Sequence, residues 1–214
     1  MVKITDIHNA LIAIDSHRLQ TLIQSAIEGG IPAREILKQG LIAAMDVVGE
    51  RMENGEMFIP EVLMCAKAME SGINILKPYL TAEETESKGR IVIGTVKGDL
   101  HDIGKNLVAM MLKGGGYEVI NLGVDVTPET FADAVRTHNP HVLALSALLT
   151  TTMPMMRETI AAVENSGLRD RVAIIVGGAP VNRAFAEQIG ADGYAADAGG
   201  ALKLLKQHMK QIAA

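Results

Sequence analysis

Residues 91–106 read IVIGTVKGDLHDIGKN. The first six form a nearly continuous apolar run, the pattern of a strand buried on both faces. The run stops at Lys97-Gly98. Asp99, His101 and Asp102 follow, just before a helical pattern that opens near Gly104. A buried strand that delivers a histidine between two acids makes either a polar turn or a ligand.

The same rhythm continues outward. YEVINLG (117–123) precedes a helical pattern from about Pro128 to His138, and HVLALSA (141–147) precedes one near 154–165. RVAIIVGG (171–178) precedes one near 182–189, and a short run at Gly193–Ala195 precedes one near 198–211. Apolar strands alternating with helices predict five βα units in a parallel sheet covered on both faces, Rossmann-like or flavodoxin-like. Ligands of such sheets sit beyond the carboxyl ends of the strands. That topology gathers Asp99-Leu100-His101, the stretch from Ser146 to Thr152, and Gly177-Gly178 on one rim.

Residues 1–80 have a different period. Ile4, Ile7, Leu11 and Ile14 step by three and four, as do Leu37, Leu41, Ala44 and Val48, and then Val62, Ala66, Met69, Ile73 and Leu76. Breaks at Asp15-Ser16, Gly29-Gly30 and Asn54-Gly55, with Pro32 and Pro60 suited to first turns, predict helices near 3–14, 16–28, 32–53 and 60–77. Four amphipathic helices with short joints predict a small bundle. TAEETESKG (81–89) is polar and reads as a linker.

The totals narrow the function. The chain has 214 residues, a net charge of -5 and 3% aromatic residues without tryptophan. Such a chain lacks the Lys/Arg clusters and stacking platforms that bind nucleic acid. One cysteine, Cys65, excludes an internal disulfide and suits a reducing compartment. The start, MVKITDIHNA, lacks a signal-peptide layout, and no stretch is apolar enough to span a bilayer. A cytoplasmic protein with no membrane partner is expected.

Several chemistries fail on spacing. Gly94, Gly98 and Gly104 are too widely spaced for G-x-G-x-x-G, and no G-x-x-x-x-G-K-[ST] is present. A flavodoxin phosphate loop needs several hydroxyls after the first strand, and Thr95 is the only one. His101, Asp99 and Asp102, even with Asp125 added, make a thin zinc set. Ser146 lacks a nucleophile elbow, and Cys65 falls on a helix face beside Ala66 and Met69 as a packing residue. One histidine backed by one acid suits a metal whose other positions a macrocycle already fills.

Asp99-Leu100-His101-Asp102-Ile103-Gly104 resembles the D-x-H-x-x-G motif of cobalamin-binding domains. Ser146-Ala147-Leu148 resembles its S-x-L companion, and Gly177-Gly178 its G-G companion. In the first half, Val47-Val48-Gly49-Glu50 and then Gly55-Glu56-Met57-Phe58-Ile59-Pro60 are similar to the cap of cobalamin-dependent methionine synthase. The resemblance runs over nearly the whole chain. It is nearest to the small corrinoid proteins of anaerobic methyltransferase systems. The fold expected is therefore α/β: an N-terminal four-helix bundle cap over 1–80, a linker at 81–89, and a Rossmann-like (flavodoxin-like) doubly wound parallel five-stranded sheet over 90–214.

The resemblance implies roles. His101 is the lower axial ligand to cobalt, with the nucleotide tail of the cofactor displaced into the α/β domain. Asp99 bonds the other ring nitrogen, and Thr152 stands where methionine synthase carries a serine that extends the relay. Ser146 and Thr150 line the tail pocket, Gly104, Gly177 and Gly178 leave it room, and Leu100, Asp102, Ile103 and Leu148 complete the cofactor-binding set. Asp102 is assigned mainly to capping the following helix, while Lys105 and Asn106 are read as helix surface or pocket rim. Met52 and Ile59 shield the upper face, where the methionine synthase cap has an aromatic at the Met52 position.

The cofactor implied is cobalamin, as methylcobalamin or a related corrinoid. The function implied is a methyl carrier. It accepts a methyl group on Co(I) from a substrate:corrinoid methyltransferase and passes it to a tetrahydrofolate- or thiol-dependent methyltransferase. A reductive activation protein is a third partner, and the 81–89 linker is the hinge for cap movement. The donor could be methanol, a methylamine, betaine or a methoxy-aromatic. Two other classes share the motif: a cobalamin-binding sensory or regulatory module, and the cobalamin subunit of an adenosylcobalamin mutase. The Met57-Phe58-Ile59-Pro60 cap motif favours methyl transfer.

Overall fold

A computed structural model describes residues 2–80 and 87–212. Residues 81–86 of the expected linker lie outside the described residues. Contacts divide the chain into two compact units, a helical one and an α/β one that begins at Lys88.

The helical unit contains α1 (Ile4–Ile12), α2 (Ser16–Glu28), the single turn α3 (Ala33–Glu35), α4 (Ala43–Glu53) and α5 (Ile59–Leu76). Asp15 starts α2 by accepting from the Arg18 backbone N–H at 3.0 Å, which satisfies one orphan donor of the first turn. Glu61 closes the start of α5 by accepting from Phe58 N–H at 2.9 Å. The residues spaced at three and four face inward: Ile7, Leu11, Leu41, Val48, Val62 and Leu76 are all fully buried. Gly72 allows a close approach of α5 to α2, because a Cβ there would lie 2.9 Å from Ile23 Cδ1.

One element differs from the expected helix over 32–53. Between α3 and α4 the chain runs as a π-helix, Ile36–Ile42. The wide turn carries Gly40, whose missing Cβ would stand 3.1 Å from Ile7 Cγ2 of α1. An apolar spacing of three and four does not distinguish a helix from one locally widened by a residue.

The α/β unit alternates strictly: β1 (Arg90–Thr95), α6 (Ile103–Gly114), β2 (Glu118–Asn121), α7 (Pro128–His138), β3 (Val142–Ser146), α8 (Pro154–Asn165), β4 (Ala173–Gly177), α9 (Arg183–Gln188), β5 (Gly193–Ala195) and α10 (Ala198–Ile212). A 3-10 turn, Arg169–Arg171, takes up the start of the run expected as the fourth strand. The sheet is parallel with strand order β2-β1-β3-β4-β5, the flavodoxin-like order, whose switch point lies between β1 and β3. Phe131 of α7 is fully buried against Gly94 of β1, where a Cβ would be 2.7 Å from the ring. Register places Thr95 beside Ser146 and Ser146 beside Gly177. The three central strands therefore end level, and their loops open side by side.

Gly178 sits where a side chain would meet backbone. Its φ is +131°, and a Cβ would lie 1.9 Å from the Ala147 carbonyl oxygen. Gly178→Ala should therefore lower stability by about 2 kcal/mol or more. Gly104→Ala, where a Cβ meets nothing within 4 Å, should stay within about 1 kcal/mol of wild type. Urea unfolding midpoints of the two variants measure the difference.

Candidate functional site

The site grows from the turn after β1. Val96 N–H donates to Ser146 O at 3.0 Å and extends the pairing of β1 with β3 one residue further. Gly98, at φ +80°, donates its N–H to Asp125 Oδ1 at 2.7 Å, and Asp99 N–H returns to Val96 O at 3.1 Å. This tight turn drives the Asp99 side chain inward, to 0% exposure. Two residues on, the His101 carbonyl accepts from the Thr95 hydroxyl at 2.9 Å, while the imidazole stays half exposed.

Both carboxylate oxygens of Asp99 are committed. Oδ1 accepts from His101 N–H at 3.1 Å and bonds His101 Nδ1 at 2.7 Å. Oδ2 accepts from Leu148 N–H at 2.7 Å, Leu149 N–H at 3.2 Å and the Thr152 hydroxyl at 2.8 Å. Burial alone would push the Asp99 carboxyl up. The Leu148 amide, the His101 ring, the Thr152 hydroxyl and the His101 amide outweigh it and hold the group well below the usual carboxylate range. Asp99 is thus ionised and can only accept, so Nδ1 of His101 carries the proton between them. In the neutral ring, Nε2 then keeps its lone pair, as a metal-ligating imidazole requires.

The surroundings of that ring are apolar and open. Among the described residues, the large hydrophobic side chains exposed on the α/β unit are Leu100, Ile103, Leu148 and Leu149. Leu100, Leu148 and Leu149 sit in the two loops that Asp99 joins, and Ile103 opens α6 directly after the first of them. Ile103 is 87% exposed and Leu100 71%. Apolar surface concentrated around one basic nitrogen fits a broad hydrophobic ligand that carries its own metal. Among the described residues no group of three or more His, Cys, Asp or Glu is placed to hold a metal ion.

The remaining candidate residues fall as follows. Ser146 is half-buried at the end of β3, and Thr150 is exposed in the turn before α8. Gly104 is exposed and faces open space. Gly177 and Gly178 stand beside Ala195 O and Ala147 O, so they serve the approach of the protein's own loops. Asp102 is exposed, and its Oδ2 accepts from the Asn106 side-chain amide at 2.9 Å. In the helical unit, Met52 is half-buried in α4 and Ile59 is exposed at the start of α5. The sequence left Leu149 unmarked, because its contribution is a backbone N–H. Lys105 was assigned to the helix surface or pocket rim, yet it is 4% exposed and bonds Asn106 and Asn121. The sole trace of this in the sequence is Asn121, a polar residue interrupting the run YEVINLG.

Comparison with known proteins agrees with the chemistry of the site. Residues 89–203 match a B12 binding domain, and residues 4–77 match a second model of the same description. The α/β and helical units are thus each related to cobalamin-binding modules. The chain is 39% identical to a corrinoid protein of Desulfitobacterium hafniense over 95% of its own length and 96% of that protein. It is 41% identical to a dimethylamine corrinoid protein of Methanosarcina acetivorans over 94% of each. The methanol:cobalamin methyltransferase complex of Methanosarcina barkeri superposes with a TM-score of 0.87 at 33% identity, covering 97% of this chain and 79% of that one. The chain belongs to the corrinoid proteins.

Two measurements check the site in the apoprotein. The folded-state Asp99 value lies below the unfolded one, near 4. Its contribution to stability is therefore fully present above the unfolded value and is lost progressively as pH falls from there toward and through the lower folded-state one. Asp99→Asn should lower the urea midpoint at pH 7 and flatten the decline of that midpoint between pH 5 and 2. Cys65 is fully buried, donates to Leu11 O at 3.5 Å, and is pushed up to about 11, by burial first and by Glu61 second, with Arg51 opposing. A thiol reagent at pH 8 should label it only after unfolding.

Proposed function

We propose that this protein is the methyl-carrying subunit of a methyltransferase system, with His101 as the residue that would hold the cobalt of a bound cobalamin. The observation that carries the assignment is the Asp99–His101 pair. A fully buried, ionised carboxylate fixes the ring proton on Nδ1 and leaves the Nε2 lone pair free on a half-exposed ring, in a loop at the sheet's switch point that carries exposed apolar side chains. The bound corrinoid supplies a cobalt that accepts a methyl group and gives it up again.

The protein's part is to hold, orient and shield. Asp99 fixes the tautomer and orientation of the His101 ring, and Thr152 with the two loop amides holds Asp99 ionised. Leu100, Ile103, Leu148 and Leu149 offer an apolar seat. Gly104 leaves room for the nucleotide tail, and Ser146 and Thr150 line its path. The match to corrinoid proteins along nearly their whole length supports a carrier over a catalytic subunit.

The partners follow from that role. A substrate-specific methyltransferase delivers the methyl group, and a tetrahydrofolate- or thiol-dependent methyltransferase receives it. A reductive activation protein restores the carrier after adventitious oxidation. The relatives named for methylamines, and the methanol complex, support a small methylated compound as donor.

Loading the protein with hydroxocobalamin tests the assignment by visible spectroscopy. Wild type should retain the corrinoid with a spectrum of histidine ligation. His101→Ala should lose that spectrum, and its corrinoid should dissociate at least about tenfold more readily. A wild-type protein that retains no corrinoid would overturn the assignment.

A further inference from the structure

Among the described residues, Asp99 and Lys105 are the two charged side chains with almost no exposure. Asp99 is explained by His101. Lys105 is not explained by anything above, and a buried ammonium is costly unless its hydrogen bonds are made. Its Nζ donates to Asn106 Oδ1 at 2.6 Å and to Asn121 Oδ1 at 2.8 Å. The amides are themselves linked, with Asn121 Nδ2 donating to Asn106 Oδ1 at 3.0 Å. Asn106 Nδ2 then donates to Asp102 Oδ2 at 2.9 Å. An ammonium and a carboxylate are thus joined through one amide, and that carboxylate belongs to the neighbour of His101.

The knot also closes on the His101 loop from the other side. Asn121, the last residue of β2, accepts a second bond on Oδ1 from Gly123 N–H at 3.0 Å. Gly123 O accepts from Thr95 N–H at 3.0 Å, and the Thr95 hydroxyl donates to His101 O at 2.9 Å. Lys105 lies in the first turn of α6, directly after the loop. Every segment flanking His101 is therefore tied to the end of β2.

We infer that Lys105 is a positioning residue for His101. With Asn106 and Asn121 it clamps the first turn of α6 to the end of β2 and commits the Asp102 carboxylate to the helix side of the loop. Of the two acids flanking the histidine, this leaves Asp99 as the one bonded to its ring. The inference rests on His101 as the axial ligand and adds a second support that the D-x-H-x-x-G motif does not contain.

The test uses the full-length chain with Lys105→Met, of similar volume but without donors, and Asn121→Ala, at an exposed position. In the apoprotein, amide hydrogen exchange at His101 and Gly123 should quicken roughly tenfold in both variants, while the amides of β4 keep their wild-type rates. A general loss of stability would instead quicken β4 as well. In protein loaded with Co(II) cobalamin, the ¹⁵N-histidine splitting of the electron paramagnetic resonance spectrum reports ligation. The balance between histidine-bound and histidine-free cobalt should shift about tenfold toward the free form. Asn121→Asp keeps the acceptor oxygen and should restore both readouts.

Wild-type exchange and wild-type splitting in either folded variant would overturn the inference. If Lys105→Met fails to fold, Asn121→Ala decides alone. A wild-type protein without histidine splitting would instead overturn the ligand assignment, and the apoprotein exchange rates would still decide whether Lys105 holds the loop.

Discussion

The α/β unit depends on one buried carboxylate. Asp99 has no exposed side-chain surface, and an unpaired charge in that position would be prohibitive. It is sustained by donors on both of its oxygens: the amide and ring of His101 on one, and two loop amides with the Thr152 hydroxyl on the other. Removing the charge would leave those donors facing one another. The loop after β1 and the loop after β3 are thus joined through this ion, beside the buried contacts of Val96 and Ala147 beneath it. The apolar side chains of both loops are left free to face outward, where a ligand can use them.

Sheet register makes this possible. Parallel pairing sets Thr95, Ser146 and Gly177 level, so short turns suffice to bring Asp99 within reach of Leu148 and Thr152, about fifty positions later in the chain. In the strand order β2-β1-β3-β4-β5, the chain leaves β1 toward one edge and returns to build the other, and the two loops diverge at their bases. Asp99 bridges that divergence. Lys105 performs the corresponding task toward β2, with neutral amides as its partners.

Much of this was legible in the residues. Apolar runs and helical spacing predicted every strand and helix of the α/β unit, because burial on both faces leaves no other pattern for a parallel strand. Asp99 and His101 were marked by their side-chain chemistry and Thr152 by the family resemblance, and the three are found in one hydrogen-bonded group. The rest was hidden for separate reasons. Leu149, left unmarked, holds Asp99 through its backbone N–H, as Leu148 also does, and no residue letter encodes that. Gly178 also has a reason within the fold that the sequence did not show, because a Cβ there would meet the Ala147 carbonyl across the strand ends. The π-helical turn at Ile36–Ile42 differs from an α-turn by one residue, less than apolar periodicity resolves. Lys105 was placed on the helix surface or rim because a lysine in a first turn is ordinarily solvated. What buries it, Asn121, lies sixteen positions later.

The two backbone donors on Asp99 Oδ2 have an evolutionary consequence. Because Leu148 and Leu149 hold the carboxylate through their amides, their side chains can change without altering the charge behind His101. The apolar surface around the imidazole and the electrostatics beneath it are therefore separable traits. A lineage could remodel the first to suit a different corrinoid or a different docking enzyme and inherit the second intact.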